Sequence, residues 1–338
     1  FGFESRMITF KIEGSIFGVL NFFRNGTRIS VKNLQNHFEA GDYLSKQCYR
    51  GRFAPSPTGA LHLGNLRTAL VSWLRARIQE GSWFLRIDDL DTPRNRLGSI
   101  ESIQADLSWL GLKWDGPIIF QSQRKRIYNS VLTYFLKQNR LFACECSRKR
   151  LKNLSKGIFS GSFYDGTCRH LGLPLDTDSD HLRSWRLIVN KKFSKVSGDI
   201  IVRRSDGYIA YHLATVIDDL MLGINEVVRG YDLASAEQSQ FAIIDVLKQR
   251  FPVYKYIPLV LDCNGRKLSK RHGGISLNYC KDKGMDSSQV IGLLSSSLGL
   301  VPFDSELSCD ELLADLKKNS YTFDKVFNDT ALNNEVII

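Results

Sequence analysis

No apolar run in this 338-residue sequence reaches the roughly 20 residues that a helix needs to cross a bilayer. That excludes a chain anchored by such a span. No stretch reads as a secretory signal, with a charged start and a small-residue cleavage site. Cysteine is sparse, at seven residues, so the chain is expected to be cytoplasmic with free thiols rather than a disulfide scaffold. Internal repeats and low-complexity tracts are absent as well, which excludes a solenoid. Acid is the scarcer charge: 35 Asp and Glu face 46 Lys and Arg, for a net charge of +11. A surplus of that size favours a polyanionic partner, nucleic acid first. The plainer alternative is a basic surface kept for solubility. A hydrophobic content of 43% and a charged content of 24% suit a soluble globular chain with a sizeable core.

Residues 1–49 hold strand-like patches, ITFKIEG and FGVLNFF, but no chemistry. They read as an accessory extension or as sequence upstream of the true start; the first methionine is Met7. From Arg52 the texture changes. A turn-rich segment, RFAPSPTGALHLGN, leads into LRTALVSWLRARIQE, which places Leu66, Ala69, Leu70, Trp73 and Leu74 on one face at helical spacing. WFLRIDDL reads as a short buried strand ending in acids, and SIESIQADLSWLGL and QRKRIYNSVLTYFLKQN as amphipathic helices. Such alternation argues for an α/β domain with a parallel sheet. Further on, WRLIVNKKF and GDIIVRRSDGYIAYH read as strands around a turn, SAEQSQFAIIDVLKQRF as a helix and YIPLVLD as a strand. CNGRKLSKRHGG is a basic, glycine-flanked loop, and about 60 mostly helical residues follow it.

Two short segments carry phosphate chemistry. In Ser56-Pro-Thr-Gly59-Ala-Leu-His62-Leu-Gly64-Asn65 two prolines stiffen the entry and Gly59 permits a sharp turn. His62 and Asn65 stand three apart at a helix start, where free N–H groups and the positive dipole end suit phosphate. Gly64 lets a flat base approach the backbone. By itself this tetrapeptide also reads as a helix start with a surface histidine. In Lys267-Leu-Ser269-Lys270-Arg271 a mobile loop could fold over a triphosphate and neutralise the leaving pyrophosphate. Alone it equally fits a solvated basic loop.

Taken together, His62–Asn65 and Lys267–Arg271 resemble the paired signatures of the class I aminoacyl-tRNA synthetases. Five further segments resemble the glutamyl branch of that family in order and interval. They are Arg52-Phe-Ala-Pro-Ser-Pro-Thr-Gly59, Arg86-Ile-Asp-Asp-Leu-Asp91, Asp206-Gly-Tyr-Ile-Ala-Tyr211, Val216-Ile-Asp-Asp219 and Val228-Arg229-Gly-Tyr-Asp232. The resemblance covers about residues 50–300. It implies a Rossmann-type α/β fold and a glutamate site at Arg52, Phe53, Ala54, Pro55, Ser56, Asp88, Tyr211 and Arg229. Arginine forks suit a substrate with two carboxylates. The resemblance also implies an ATP site at His62, Gly64, Asn65, Lys267, Ser269 and Lys270, with Mg²⁺ on the phosphates. His62, Asn65 and Lys270 would be catalytic. One position departs: the family usually has Glu where this chain has Asp88. Either the strand sits closer to the substrate ammonium or water bridges the missing methylene.

Cys144-x-Cys146, Tyr164 and Cys168 resemble the Zn²⁺ site in the inserted domain of synthetases that charge queuosine in tRNA(Asp). Thiolates suit closed, four-coordinate zinc. A phenolate is an unusual fourth ligand, and His170 competes for that place. Cys48, Cys263, Cys280 and Cys309 read as structural thiols. Only residues 272–338 follow Arg271, which is short for a separate anticodon-binding domain. The expected organisation is a catalytic domain in 50–141 and 206–262, a zinc-bearing insertion in 142–205, and the KLSKR loop with a helical region in 263–338. The expected reaction is ATP-dependent activation of glutamate and its transfer to queuosine of tRNA(Asp), by a monomer. A truncated glutamyl-tRNA synthetase is the nearest alternative. A non-catalytic zinc module binding RNA is the alternative from another class, and it has no use for an adenylate pocket. A nucleotidyltransferase sharing the His-x-Gly signature is disfavoured by Arg52–Gly59.

Overall fold

The computed structural model describes residues 48–154, 163–175, 183–259 and 276–328. Among them, β1 (Arg50–Phe53) and β2 (Ser82–Ile87) run parallel, with Arg52 opposite Phe84 and Phe53 opposite Leu85. Strand β3 (Ile119–Phe120) extends the parallel order on the far side of β2. Both β1 and β2 are buried almost throughout, as strands covered on two faces must be. Helix α1 (Leu63–Ile78) connects β1 to β2, and α2 (Ser99–Trp109) lies between β2 and β3. Helix α3 (Lys125–Lys137) follows β3.

The chain then leaves the parallel sheet. Strand β4 (Leu141–Cys144) pairs antiparallel with β5 (Ser184–Leu187), and β5 with β6 (Ile200–Arg203). Helix α4 (Arg148–Leu154) lies between β4 and β5, and the single turn α5 (Lys191–Ser194) between β5 and β6. The strand expected over WRLIVNKKF therefore stops at Leu187, because its register with β4 and β6 ends there. Around the cysteines a small separate core forms from Phe142, Cys144, Leu151, Tyr164 and Cys168.

Helix α6 (Tyr211–Met221) returns to β7 (Glu226–Gly230). Helix α7 (Glu237–Val246) then leads to β8 (Val253–Ile257), parallel to β7. The Asn225 N–H donates to Arg50 O at 3.1 Å and the Asn225 side chain accepts from Arg50 N at 2.9 Å, which seats β7 beside β1. The strand expected over YIPLVLD starts three residues earlier, at Val253, and ends at Ile257; residues 260–262 of that expectation lie outside the described residues. Pro258 has no N–H to continue the ladder.

Helices α8 (Leu277–Asp282), α9 (Ser287–Ser296), α10 (Cys309–Lys318) and α11 (Ser320–Asn328) complete the described chain. Leu277, Ile291, Leu312 and Phe323 from these helices join one core with Leu66, Leu70 and Trp83. Helix α1 is buried by the sheet and by these helices together. Besides the five positions expected on its buried face, Leu63, Arg67, Val71 and Ala76 are covered too, which is the pattern of a central helix rather than a half-exposed one. No helix among the described residues is long and apolar enough to cross a membrane.

Candidate active site

Strand β1 runs parallel to β2, and β7 to β8. Arg52 and Arg229 stand in the carboxyl halves of β1 and β7, and Asp88 directly follows β2. That is where open α/β sheets bind ligands. These residues line a cavity of about 160 Å³ with Phe53, Ala54, Pro55, His62, Gly64, Asn65 and Tyr211. Of the residues expected to hold glutamate, Ser56 alone lies outside this lining, exposed on the loop. Lys267, Ser269 and Lys270, like Cys263, lie outside the described residues. Pro258 and Leu259 carry the end of β8 to the cavity wall.

Helix α1 opens on a reciprocal cap. The His62 ring Nδ1 accepts the Asn65 N–H at 3.3 Å, and Asn65 Oδ1 accepts the His62 N–H at 3.5 Å. Since Nδ1 accepts, the ring proton sits on Nε2. Gly59 takes a positive φ of 119° in the turn before it, which glycine alone adopts readily. At Gly64 a Cβ would stand 3.1 Å from the His62 Cε1 and Nδ1 atoms.

Beneath the floor runs a buried chain of alternating charge. Arg86 is fully buried and clamps Asp88 with both ends of its fork, at 2.6 and 3.2 Å, while its Nη1 donates to Asp219 at 2.6 Å. Arg52 also reaches Asp219, at 3.2 and 3.4 Å. Neighbouring Asp218 accepts from Arg124 at 2.7 Å, and from Gln121 and Tyr128 at 2.8 Å each. Burial would raise the Asp219 carboxyl, but the Arg52 and Arg86 guanidiniums outweigh it and hold the group below the usual range. Asp88 comes out the other way: burial wins over Arg86 and lifts its pKa to about 6. The question raised by Asp in place of Glu has a geometric setting here. The carboxyl is fixed by Arg86 and still faces the cavity.

Arg229 is held from behind. It donates to Gln240 Oε1 at 2.8 Å and to Tyr256 Oη at 2.9 Å, and its guanidinium lies 4.2 Å from the Tyr254 ring centroid. Tyr256 in turn donates to Glu237. The Nε of Arg229 has no hydrogen-bond partner among the described residues. His212, beside Tyr211, is pushed down to about 4 by burial and by Arg229. Sequence reasoning left Gln240, Tyr254 and Tyr256 without a role. The only signal was two tyrosines at alternate positions of a strand, VYKYI. It also assigned nothing to Arg86, Asp218 and Asp219, although their segments were singled out.

The Sγ atoms of Cys144, Cys146 and Cys168 lie within 4.8 Å of one another. Tetrahedral zinc with Zn–S near 2.3 Å needs sulfurs about 3.8 Å apart, so the trio fits. The Tyr164 hydroxyl, buried beside them, accepts the Cys168 N–H at 2.7 Å, and Arg186 lies 3.8 Å from its ring centroid. Burial raises the Tyr164 phenol, while at Cys144 the nearby Arg186 overcomes burial and lowers the thiol. His170 is exposed and outside this group.

Comparison with known proteins agrees with this geometry. The model of the family "tRNA synthetases class I (E and Q), catalytic domain" matches residues 49–173 and 175–306. The glutamyl-Q tRNA(Asp) synthetase of Prochlorococcus marinus (strain MIT 9313) is 54% identical over 286 residues, 85% of this chain and 94% of that protein. The protein of the same name from Synechococcus sp. (strain CC9605) is 50% identical over 290 residues, 86% of this chain and 97% of that protein. Among solved structures, the glutamate-tRNA synthetase of Elizabethkingia anophelis superposes with a TM-score of 0.65 at 26% identity. The alignment covers 79% of this chain and 65% of that one. With parallel strands carrying the cavity and relatives at this identity over most of its length, the chain belongs to the class I tRNA synthetases of the E and Q type, a family of aminoacyl-tRNA ligases, alongside the glutamyl-Q tRNA(Asp) synthetases.

Proposed function

We propose that the protein activates glutamate with ATP and transfers it to queuosine in the anticodon of tRNA(Asp). The observation that carries this reading is the convergence of Arg52, Asp88, Tyr211 and Arg229 with the capped start of α1 on one cavity. One substrate carboxylate is assigned to Arg229 and the second to Arg52, both in the cavity lining. Asp88, when ionised, holds the substrate ammonium. The His62 Nε2–H, Asn65 and the first N–H groups of α1 face the phosphates of ATP.

In the first step a carboxylate oxygen of glutamate attacks the α-phosphorus. The bond to the β-phosphate oxygen breaks and pyrophosphate leaves. In the second step a hydroxyl oxygen of queuosine attacks the carbonyl carbon, loses its proton, and AMP leaves. The chain needs no covalent nucleophile; its residues position the reactants and stabilise charge. Mg²⁺, when bound to the phosphates, supplies further charge neutralisation. Lys267, Ser269 and Lys270 are assigned to the same phosphates by resemblance.

The same reading places Zn²⁺ on Cys144, Cys146 and Cys168 with Tyr164 as fourth ligand, within an insertion over 142–205. The buried Tyr164 hydroxyl beside Cys168 supports that choice over exposed His170. The test is incorporation of labelled glutamate into tRNA(Asp) from cells with and without queuosine synthesis. Label confined to the queuosine-containing sample is expected. Label at the 3′ end of tRNA(Glu) would return the chain to the ordinary glutamyl-tRNA synthetases.

A further inference from the structure

A second cavity, of about 580 Å³, opens between α3 and the β5–β6 hairpin and belongs to neither the glutamate site nor the cysteine cluster. Its lining is half apolar and half polar. Trp185, Leu132 and Leu90 form apolar wall, and Lys125, Asn129 and Arg203 contribute polar groups. The Arg203 guanidinium lies 4.7 Å from the Trp185 ring centroid, and its Nε donates to Gly207 O at 3.4 Å. Neither Lys125 nor Arg203 forms an ion pair among the described residues. The one acid in the lining, Asp206, is already spent: its carboxylate is bound by Arg204 and accepts the Tyr208 N–H. The cavity therefore presents two uncompensated cations, an aromatic–guanidinium stack and the amide of Asn129.

It also adjoins the first site through two short pieces of chain. Asp88 lines the first cavity and Leu90 the second; Tyr211 lines the first and Ile209 the second. Two residues span at most about 7 Å. The two cavities are thus lined by neighbouring residues of the same two chain segments. A tie between the Tyr208 hydroxyl and Thr92 Oγ1, at 3.0 Å, holds those two segments together.

We propose that this second cavity takes one unpaired nucleotide of the RNA, next to the nucleotide that receives glutamate, with its base on the Trp185–Arg203 stack and its phosphate on Lys125 and Arg203. The proposal rests on the reading that an RNA anticodon loop enters the first site. Sequence-selective RNA binding splays out single-stranded bases and stacks them on aromatic rings or arginine planes. A site with that stack, a side-chain amide for a base edge and two cations without an acid partner has the chemistry for one nucleotide. An acidic peptide would use the cations but not the flat wall.

The experiment uses the full-length Lys125→Ala/Arg203→Ala double variant and two readouts. Glutamate-dependent exchange of pyrophosphate into ATP reports the first site without RNA. Glutamate transfer to queuosine-containing tRNA(Asp) reports the second. Exchange should stay within about twofold of the wild type, while the KM for tRNA rises about tenfold or more. A tRNA made abasic at a position flanking queuosine should raise KM for the wild type and add little for the variant. An unchanged KM in the variant overturns the proposal, as does full additivity of variant and abasic effects. Absence of transfer by the wild type itself overturns the underlying reading instead, so the two failures are told apart.

Discussion

Asp88 binds a proton more tightly than a free aspartate does, because burial outweighs the Arg86 fork and raises its pKa from 3.8 to about 6. The sign follows directly. Ionisation costs the folded protein as pH rises from 3.8 towards 6, so this carboxyl destabilises the fold above that range. Binding a substrate ammonium needs the ionised form. Glutamate affinity should therefore fall about tenfold between pH 7 and pH 5, read as KM in pyrophosphate exchange. Asp88→Asn should bind weakly at every pH and lose the step; a variant that keeps the step assigns it to another group. Arg229 makes a second case. Its fork already serves Gln240 and Tyr256, and a lysine has one ammonium where arginine has five N–H donors. Arg229→Lys should raise the KM for glutamate tenfold or more and change kcat little. A kcat loss with normal KM would remove Arg229 from ground-state binding.

At the scale of elements, what was legible in the sequence is what is local. The start of α1 at His62–Asn65 is legible because it needs only residues three apart, whereas the reciprocal cap between the two is what the structure adds. The end of β8 was misjudged because an apolar run, YIPLVLD, outweighed the proline inside it. The role of Arg86 was invisible for another reason: its partner Asp219 lies 133 residues away, and only the sheet brings them together. The breadth of the α1 core was missed likewise, since the covering helices come from the far end of the chain. Gly64 tests the capped start as an element. Alanine in a helix gains up to about 1 kcal/mol over glycine, so Gly64→Ala should not lower Tm. Its new Cβ, however, would stand 3.1 Å from the His62 ring and shift it by a few tenths of an ångström while the cap bond is kept. Reduced pyrophosphate exchange with an unchanged or higher Tm is the expected pair of results. Normal exchange would mean that the ring position is not used.

Across the whole molecule the decisive feature is the separation of cores. The residues around Cys144, Cys146 and Cys168 form a small apolar cluster of their own, whereas α1, β1, β2 and the last four helices share a large one. A cluster of about five buried side chains is too small to hold a fold unaided, and a bound metal is a common means of stabilising one. Cys146 and Tyr164 both hold their protons more tightly than free side chains do, burial being the main cause. A dication would draw those protons off and gain two anionic ligands. If zinc is the staple, its removal should loosen the chain around Cys144, Leu151, Tyr164 and Cys168, while β5 and β6, held in a second large core by Trp185, Leu187, Ile200 and Val202, and the glutamate cavity persist. The expected outcome is a split. Freshly purified protein carries about one zinc per chain, and Cys146→Ser carries none. The variant keeps glutamate-dependent pyrophosphate exchange within a few-fold, because the residues lining the glutamate cavity lie outside the cysteine cluster. Hydrogen exchange should then show protection lost around Cys144, Tyr164 and Cys168 and kept over β5, β6, β1, β2 and α1. Loss of exchange in the variant would show that the cysteine cluster and the cavity fold as one unit, and zinc retained by the variant would remove Cys146 from the ligand set.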